Sequence, residues 1–256
     1  MVQRTLCNPD YYVIHITQSR SRWRGLLMDN KLLAKVPSKE LDRLLPHLHE
    51  VELPQTKVLS EIDEKIEHAY FVTSGVVSMV NQPDNGEIVE FATIGNEGMV
   101  GFPILLGTSS MPSRVLVQVA GSGLQIRVSD LLDCLSDMPA LSRLLMRYVM
   151  AVLNQIAQST SCNRLHQVQE RCARWLLHTH DRVHGNSFNL THEFLSQMLG
   201  VHRPTVTVAA RMLQQAGLIH YTRGKIEVID RAGLEQASCS CYRLIVDQYE
   251  RLLEND

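Results

Sequence analysis

The sequence lacks the features that place a protein in a membrane or export it. Its 256 residues contain no run of about 18 apolar residues, the length that crosses a bilayer as a helix. The first residues, MVQRTLCNPDYYVIHITQ, lack the charged start, long apolar stretch and small-residue cleavage site of a signal peptide. A net charge of only −2 argues against a general coat of nucleic acid but allows one local basic surface. We expect a cytoplasmic protein with no membrane partner.

The sequence also lacks the short motifs that carry most enzyme chemistry. It has no GxSxG nucleophile elbow, no phosphate-binding loop of the GxxxxGK[ST] type and no HExxH zinc motif. Six cysteines are spread along the chain without a CxxC pair, and reduced thiols are the expectation for a cytosolic protein. These absences predict a protein that is not an enzyme and that holds no metal or cofactor.

The first half of the chain predicts a tail followed by a β-rich domain. Residues 1–25 have no clear apolar periodicity, so we expect a flexible N-terminal tail. Short helices are indicated next, with Ser38 as a cap. Asn85-Gly86 signals a hairpin between two β-branched runs. An antiparallel β-roll or jelly-roll is therefore predicted over 26–135. Its predicted strands, separated by glycines, are 68–72, 76–80, 88–94, 114–119 and 124–128.

One long helix is predicted after the β-roll. No proline or glycine occurs between Pro139 and Gly185, and apolar residues recur at alternating spacings of three and four. Such a stripe can pack against its copy in a second subunit or against the core of its own chain. We favour a dimerisation helix over 136–164, with a homodimer formed through residues 138–156. The stripe consists of Met138, Leu141, Leu145, Tyr148 and Val152, continued less regularly by Ile156.

A glycine joins two short amphipathic runs in FLSQMLGVHRPTVTVAARMLQQAGLI, residues 194–219. Thr191 is a suitable N-cap for a helix ending at Leu199, and Gly200 can adopt the left-handed conformation that ends a helix. A second helix starts near Arg203-Pro204, because the first helical turn tolerates proline. Helical periodicity turns Val206, Ala209, Ala210 and Leu213 inward, and Pro204, Thr207, Val208, Arg211 and Gln215 outward.

Two short strands follow this second helix. IHY and KIEVID are joined by Thr222-Arg223-Gly224-Lys225, which predicts a two-stranded wing with a basic tip. We therefore expect an α+β protein whose residues 165–238 form a winged helix-turn-helix, with a C-terminal helix over 239–256. In such a motif the second helix enters the major groove of DNA.

This order of β-roll, long helix and winged helix-turn-helix resembles the Crp/Fnr family of bacterial transcription regulators. The resemblance covers about residues 30–235 and is strongest in QERCARWLL (169–177) and over 190–230. It implies a homodimer that binds double-stranded DNA at a two-fold symmetric operator and contacts RNA polymerase. By position, Arg203 would read a guanine edge, and Thr191, His192 and Thr205 would touch phosphates. The expected DNA-binding residues are Thr191, His192, His202, Arg203, Pro204, Thr205, Thr207, Val208, Arg211, Arg223 and Lys225.

The resemblance also implies a cyclic-nucleotide pocket, from which this sequence departs. In the family, Gly-Glu holds the ribose and Arg-Ser holds the cyclic phosphate. Here Phe102 follows Gly101, and Val115 follows Arg114. Each polar nucleotide group left unpaired costs roughly 1–3 kcal/mol. We expect a sensor-like β-roll that does not bind cAMP in the usual way and whose effector is unknown. The candidate pocket residues are Gly101, Phe102, Arg114, Val115 and Ile156.

Three alternatives stay open. The chain could be a receptor for a cyclic nucleotide or another anion, with a helix-turn-helix that is vestigial or contacts protein. His180 and His184 are four residues apart, a workable zinc pair beside His178, although a solvated helix end also explains them. Cys239 and Cys241 could be redox active, but the pair is too close for easy metal chelation without other ligands.

Overall fold

Residues 20–82 and 88–254 are described by the computed structural model of the chain. Most of the predicted tail lies outside them, but its last part is not a tail. Helix α1 (Arg20–Asp29) includes residues 20–25, which corrects the predicted boundary. The helix packs Trp23, Leu26 and Leu27 onto the β-domain core. These residues stand at positions i, i+3 and i+4, the helical periodicity that the tail prediction missed. Asn30 follows, fully buried, and its amide donates to the carbonyl of Val72 at 2.8 Å.

An antiparallel sheet builds the first half of the described chain. Its strand order is β1-β6-β3-β4, with β2 against β6 and β5 against β3, which confirms the predicted antiparallel β-domain. The predicted turn at Asn85-Gly86 lies outside the described residues. Helix α2 (Ser38–Leu44) precedes the sheet, and its N-cap is Pro37 where Ser38 was predicted. The strands are β1 (His49–Leu53), β2 (Val58–Ser60), β3 (His68–Asn81), β4 (Val89–Ile94), β5 (Met99–Val100) and β6 (Arg114–Arg127).

Two long strands replace four predicted short ones, because β3 and β6 each run for 14 residues through a glycine. Gly75 has a φ of +90°, and a Cβ at Gly121 would lie 2.0 Å from the Ser74 carbonyl oxygen. The pairing register between β3 and β6 shifts at this point. These glycines therefore permit a bulge and a close backbone approach inside one strand, where the sequence pattern suggested strand ends.

The predicted long helix is α4 (Pro139–Leu165), which follows α3 (Val128–Leu135). The predicted dimer stripe is buried inside its own chain: Tyr148, Leu145 and Val152 are each 0% exposed. The intrachain alternative is thus the right one for that stripe, because the β-domain and a C-terminal helix cover it. A second row of side chains on the opposite face is exposed. This exposed stripe consists of Met146, Met150, Leu153, Ala157 and Thr160, at spacings of four, three, four and three.

The second half of the chain is mostly helical. Helix α5 (Val168–His180) is followed by α6 (His192–Leu199), α7 (Arg203–Gln215), α8 (Arg231–Ala237) and α9 (Cys241–Leu253). Helix α9 turns back and packs against α4, where Tyr249 donates to Gln155 at 2.7 Å. Among residues 20–82 and 88–254, every helix is too short or too polar to cross a lipid bilayer.

Candidate DNA-binding surface

The junction between α6 and α7 has the geometry of a helix-turn-helix. The Thr191 hydroxyl caps α6 by accepting the Phe194 N–H at 3.1 Å, as predicted. Gly200 ends the helix with a φ of +61°, in the left-handed region that glycine adopts without a Cβ clash. The guanidinium of Arg171, on α5, donates to the carbonyl of Leu199 and holds this helix end in place. The conformation of Gly200 and the hydrogen bond from Arg171 thus hold the turn in place before α7 begins.

Helix α7 is sharply divided between a buried and an exposed face. Val206, Ala209, Ala210 and Leu213 are buried, as predicted from their spacing. Arg203 is the first helical residue and Pro204 the second, where an N–H lacks a helical partner in any case. Val208 is 55% exposed, which places an apolar side chain on the outer face of α7. The exposed residues of the predicted set on or beside α7 are His202, Arg203, Pro204, Thr205, Val208 and Arg211.

The Arg203 side chain projects into solvent near one acidic group. Its Nε lies 4.0 Å from Oε2 of Glu193, and both side chains are about two-thirds exposed. An ion pair this open adds little stability. Arg203 is therefore available to leave Glu193 for another anion or for a base edge, at little cost to the fold.

His192 and Thr207 lie between helices rather than on the outer surface. The His192 ring stacks on Tyr221 with 4.2 Å between centroids, and its Nδ1 lies 3.1 Å from the Thr207 hydroxyl. Burial, together with the charge of Arg203, lowers the pKa of His192, so the imidazole is neutral at pH 7. A neutral, stacked ring positions α6, α7 and the strand that carries Tyr221, and the phosphate contact of His192 stays a prediction.

The predicted wing is present and has one strand more than predicted. β8 (Ile219–Thr222) and β9 (Lys225–Val228) form the hairpin, and β7 (Ser187–Asn189) pairs with the other side of β9. Arg223 and Gly224 both have positive φ, the pattern of a two-residue hairpin turn. Arg223 and Lys225 are exposed at the tip. β7 is too short to show in the residue pattern, and only its pairing with β9 identifies it.

A residue that sequence reasoning missed joins α7 to the wing. The Gln214 side chain accepts the backbone N–H of Tyr221 at 2.8 Å. This bond orients the first wing strand relative to α7. No local motif signals it, because the two residues belong to different elements.

The β-roll brings three of the five predicted pocket residues together. Gly101, Phe102 and Val115 line a cavity that also touches His68 and Met79, and its free space holds about one water molecule. Arg114 forms a 2.7 Å ion pair with Glu61. Burial lowers the pKa of His68, which keeps that imidazole neutral. Ile156 lies on α4, apart from this cavity lining, and packs against the core.

The three histidines considered as zinc ligands have separate surroundings. His178 is buried against Tyr242, with 5.1 Å between ring centroids. His180 lies 3.0 Å from the Asn186 amide oxygen, and His184 is exposed beyond the end of α5. Of the three, only His184 is exposed, and the separate partners of His178 and His180 do not form a shared metal site.

Two family models match the chain. The model of the cyclic nucleotide-binding domain matches residues 50–138, and that of the Crp-like helix-turn-helix domain matches residues 170–237. Together they cover more than half of the chain, in the order predicted from the sequence. The chain therefore belongs to the Crp/Fnr family of DNA-binding transcription regulators. No curated protein sequence matches it.

Solved structures share the same fold. FixK2 from Bradyrhizobium japonicum superposes with a TM-score of 0.64 at 18% identity, over 75% of this chain and 98% of that one. The c-di-GMP responsive global regulator CLP from Xanthomonas campestris gives 0.59 at 18% identity, over 75% and 99%. A transcriptional regulator of the Crp/Fnr family from Thermus thermophilus gives 0.56 at 18% identity, over 74% and 98%. At these identities the likeness is one of fold.

Proposed function

We propose that this regulator acts as a homodimer that recognises a two-fold symmetric operator by sequence, through binding and not catalysis. One observation carries the proposal: α7 buries its inner face, while its first three residues and its outer face stay exposed. A helix presented in this way fits a major groove, and two copies related by a two-fold axis would enter successive grooves about one helical turn apart.

The exposed residues of α7 support distinct roles at DNA. Arg203, at the helix start and weakly paired, can donate two hydrogen bonds to the O6 and N7 of a guanine. Val208 and Pro204 offer apolar contact to thymine methyl groups. Thr191, Thr205 and Arg211 lie where they can meet phosphates. At the wing tip, Arg223 and Lys225 add charge that favours the backbone irrespective of sequence.

The exposed stripe on α4 supports the homodimer. Met146, Met150 and Leu153 are 47%, 48% and 49% exposed, although each is apolar. Their alternating spacing is that of a coiled-coil seam, and the stripe lies on the face of α4 opposite the core. The same stripe on a second copy would cover it. The proposed dimer thus uses Met146, Met150 and Leu153, within the predicted 138–156, and extends to Ala157 and Thr160, on the other side of the helix from the predicted stripe.

The residues of the β-roll favour a role as a structural scaffold over a role as a cAMP receptor of the usual kind. Phe102 stands where the family has a ribose-binding glutamate, and it packs edge-on against Tyr148 at 6.2 Å between centroids. Glu61 already neutralises Arg114, and Val115 offers no hydroxyl. A nucleotide would have to displace buried side chains and break that ion pair without gaining replacement hydrogen bonds. We therefore propose that the β-roll holds no resident nucleotide cofactor, and we leave the effector unnamed.

Family membership supports the remaining partners. A Crp/Fnr regulator acts on transcription, so we propose RNA polymerase as the second macromolecular partner and the bacterial cytoplasm as the location. Whether the chain activates or represses depends on where its operator lies relative to a promoter.

Selection of bound sequences from random duplex DNA, with purified protein at moderate salt and no added ligand, tests the proposal. Enrichment of an inverted repeat with half-sites one helical turn apart is the expected result. A folded dimer that enriches nothing would contradict ligand-independent recognition. A folded protein that shows no salt-dependent DNA binding at all would favour the alternative of a small-molecule receptor.

A further inference from the structure

Four side chains with metal-binding atoms meet at the junction between the two halves of the chain. They are Cys162, His166, Cys239 and Cys241, and their Sγ and imidazole nitrogen atoms all lie within 4.8 Å of one another. The Cys239-Ser-Cys241 pair lacked additional ligands in the sequence, and the fold supplies two.

The fold assembles this cluster from two distant segments. Cys162 lies in the last turn of α4, and His166, the residue that ends the helix, donates its backbone N–H to the Cys162 carbonyl at 3.1 Å, so the two lie side by side. Cys239 and Cys241 lie between α8 and the start of α9. Packing of α9 back onto α4 brings the segments together across 77 residues. Helical periodicity gives no hint of this meeting, because neither segment alone holds more than two ligands.

The distances fit a tetrahedral ion. The Sγ atoms of Cys162 and Cys239 lie 3.5 Å apart, and Cys241 Sγ lies 3.4 Å from Nδ1 of His166. With Zn–S bonds of 2.3 Å and Zn–N bonds near 2.0 Å, the edges of a tetrahedron measure about 3.5–3.8 Å. These two separations are close to those edges, and the limit of 4.8 Å for all pairs leaves the rest to an adjustment of the side chains.

The burial of the cluster distinguishes it from ordinary apolar packing. The three cysteines are at most 5% exposed and contact one another as a separate small group, apart from the two larger cores. Buried cysteines used as small apolar residues pack among aliphatic side chains, as Cys172 does here. An imidazole nitrogen directed at a thiol sulfur, with His166 itself half-buried, is the arrangement of a Cys₃His site.

We propose that Cys162, His166, Cys239 and Cys241 bind one zinc ion in a structural Cys₃His site. Three thiolates and Zn²⁺ leave a net charge of −1. Four protein ligands close the coordination sphere, so the site stabilises structure and leaves no open position for chemistry. Zinc binding there releases the thiol protons.

The position of the site suggests what zinc would control. It joins the end of α4, which leads into the DNA-binding half, to the segment that leaves that half after α8. An ion bound there restrains the orientation of the helix-turn-helix relative to the long helix. Resting on the proposed function, we infer that zinc strengthens operator binding, because it favours one orientation of the helix-turn-helix in each subunit of the dimer.

Cobalt substitution tests the site directly. Purified full-length protein, stripped of metal and kept reduced, is titrated with Co²⁺ and then with Zn²⁺. We expect one Co²⁺ per chain, thiolate-to-metal charge-transfer absorption and the intense visible bands of tetrahedral cobalt, all removed by one equivalent of Zn²⁺. Absence of these bands from a folded, reduced protein would overturn the proposal, and so would a Cys162–Cys239 disulfide that persists in the purified protein and excludes metal.

Ligand variants localise the ion. Cys241→Ser and His166→Asn should each weaken zinc affinity by more than about 100-fold, since loss of a direct ligand exceeds the 10–100-fold cost of losing an outer-shell partner. Cys134→Ser, at a partly exposed thiol outside the cluster, is the matched control and should leave affinity unchanged. His166 is half-buried, so His166→Asn keeps the test valid should a cysteine variant fail to fold. Unchanged affinity in both ligand variants would refute the assignment.

A DNA-binding measurement separates the site from its consequence. With an operator in hand, wild type should bind it at least about fivefold more tightly with zinc than without, and Cys241→Ser should lose that difference. Cobalt bands without a zinc effect on operator affinity would overturn the coupling and leave the site intact. No operator binding under any condition would count against the proposed function alone.

Discussion

Arg182 and Glu97 form a buried ion pair, with 2.6 Å between the guanidinium Nη2 and the carboxylate Oε1. Arg182 lies just beyond α5 in the DNA-binding half, and Glu97 lies between β4 and β5 of the β-roll. Arg182 also donates to the Thr93 hydroxyl at 2.7 Å. Gly95 makes room for it, since a Cβ there would lie 2.2 Å from the arginine side chain. Burial alone would raise the pKa of Glu97, but the charge and hydrogen bonds of Arg182 outweigh it and lower that pKa.

Arg182→Ala should destabilise the protein by about 3–5 kcal/mol, because it leaves the Glu97 carboxylate buried without a counter-charge. Urea unfolding followed by circular dichroism measures the loss. Arg127→Ala, at an exposed arginine that ends β6, should change stability by less than about 0.5 kcal/mol. Equal effects of the two variants would mean that the ion pair does not hold the halves together.

Glu90 should make stability fall as pH rises. Burial raises its pKa to about 7 from the usual 4.5, against hydrogen bonds from Ser78 and Trp175 that lower it. The folded state thus holds a proton between pH 4.5 and 7 that the unfolded state has lost. The contribution of Glu90 to the free energy of unfolding is therefore fully present below pH 4.5. It declines through this window at up to about 1.4 kcal/mol per pH unit.

Glu90→Gln tests this pH dependence. Ser78 lies within hydrogen-bond distance of both Glu90 and Gln118 and has one hydroxyl proton to donate. A protonated Glu90, or a glutamine, can donate to Ser78 while Ser78 donates to Gln118. The variant should therefore gain up to about 3 kcal/mol over wild type at pH 8 and almost nothing at pH 4.5. Glu52→Gln, at an exposed carboxyl, is the control. A difference that does not grow with pH would show that Glu90 is already ionised.

The sequence predicted the DNA-binding half better than the β-roll, for a physical reason. A cap at Thr191, a left-handed glycine at Gly200 and the inward spacing of α7 are local signals, which operate within one or two helical turns. The bulge at Gly75 and Gly121 depends on a partner strand about 45 residues away, and the local pattern alone predicts a strand end at each glycine. The stripe on α4 was recognised, but periodicity cannot say whether it meets its own chain or a second one.

The close backbone approach at Gly121 should tolerate no side chain at that position. Gly121→Ala would place a methyl group 2.0 Å from a backbone oxygen that pairing holds in place. We expect a loss of at least about 3 kcal/mol, at the upper end of the cost of overpacking. Gly25→Ala is the control, since nothing lies within 4 Å of its Cβ position and the residue is helical. That variant should gain up to about 1 kcal/mol. Thermal unfolding of both variants decides whether the close approach constrains the fold.

Met150→Glu should separate the proposed dimer. It would place a carboxylate from each subunit in the seam formed by the exposed stripe, and like charges without partners there should raise the dimer dissociation constant at least about 100-fold. Sedimentation equilibrium measures the change. Leu132→Glu is matched in chemistry and nearly in exposure, at 44% against 48%, but lies on α3, and should leave assembly unchanged. A dimer that survives Met150→Glu would place the interface elsewhere.

Arg203→Ala and Lys225→Ala should affect DNA binding in different ways. Removing Arg203 should cost about 1–3 kcal/mol and relax the preference at one base pair of each half-site, because a bidentate contact to guanine is lost. Removing Lys225 should weaken binding to all sequences alike and lower the slope of log affinity against log salt by about one unit, because only a phosphate contact is lost. Both side chains are exposed, so neither change should unfold the protein. Binding of a panel of operator variants at several salt concentrations measures both effects. If Arg203→Ala leaves the ranking of operators intact and only lowers the salt slope, Arg203 contacts phosphate, and the reading of bases must be assigned to other residues of α7.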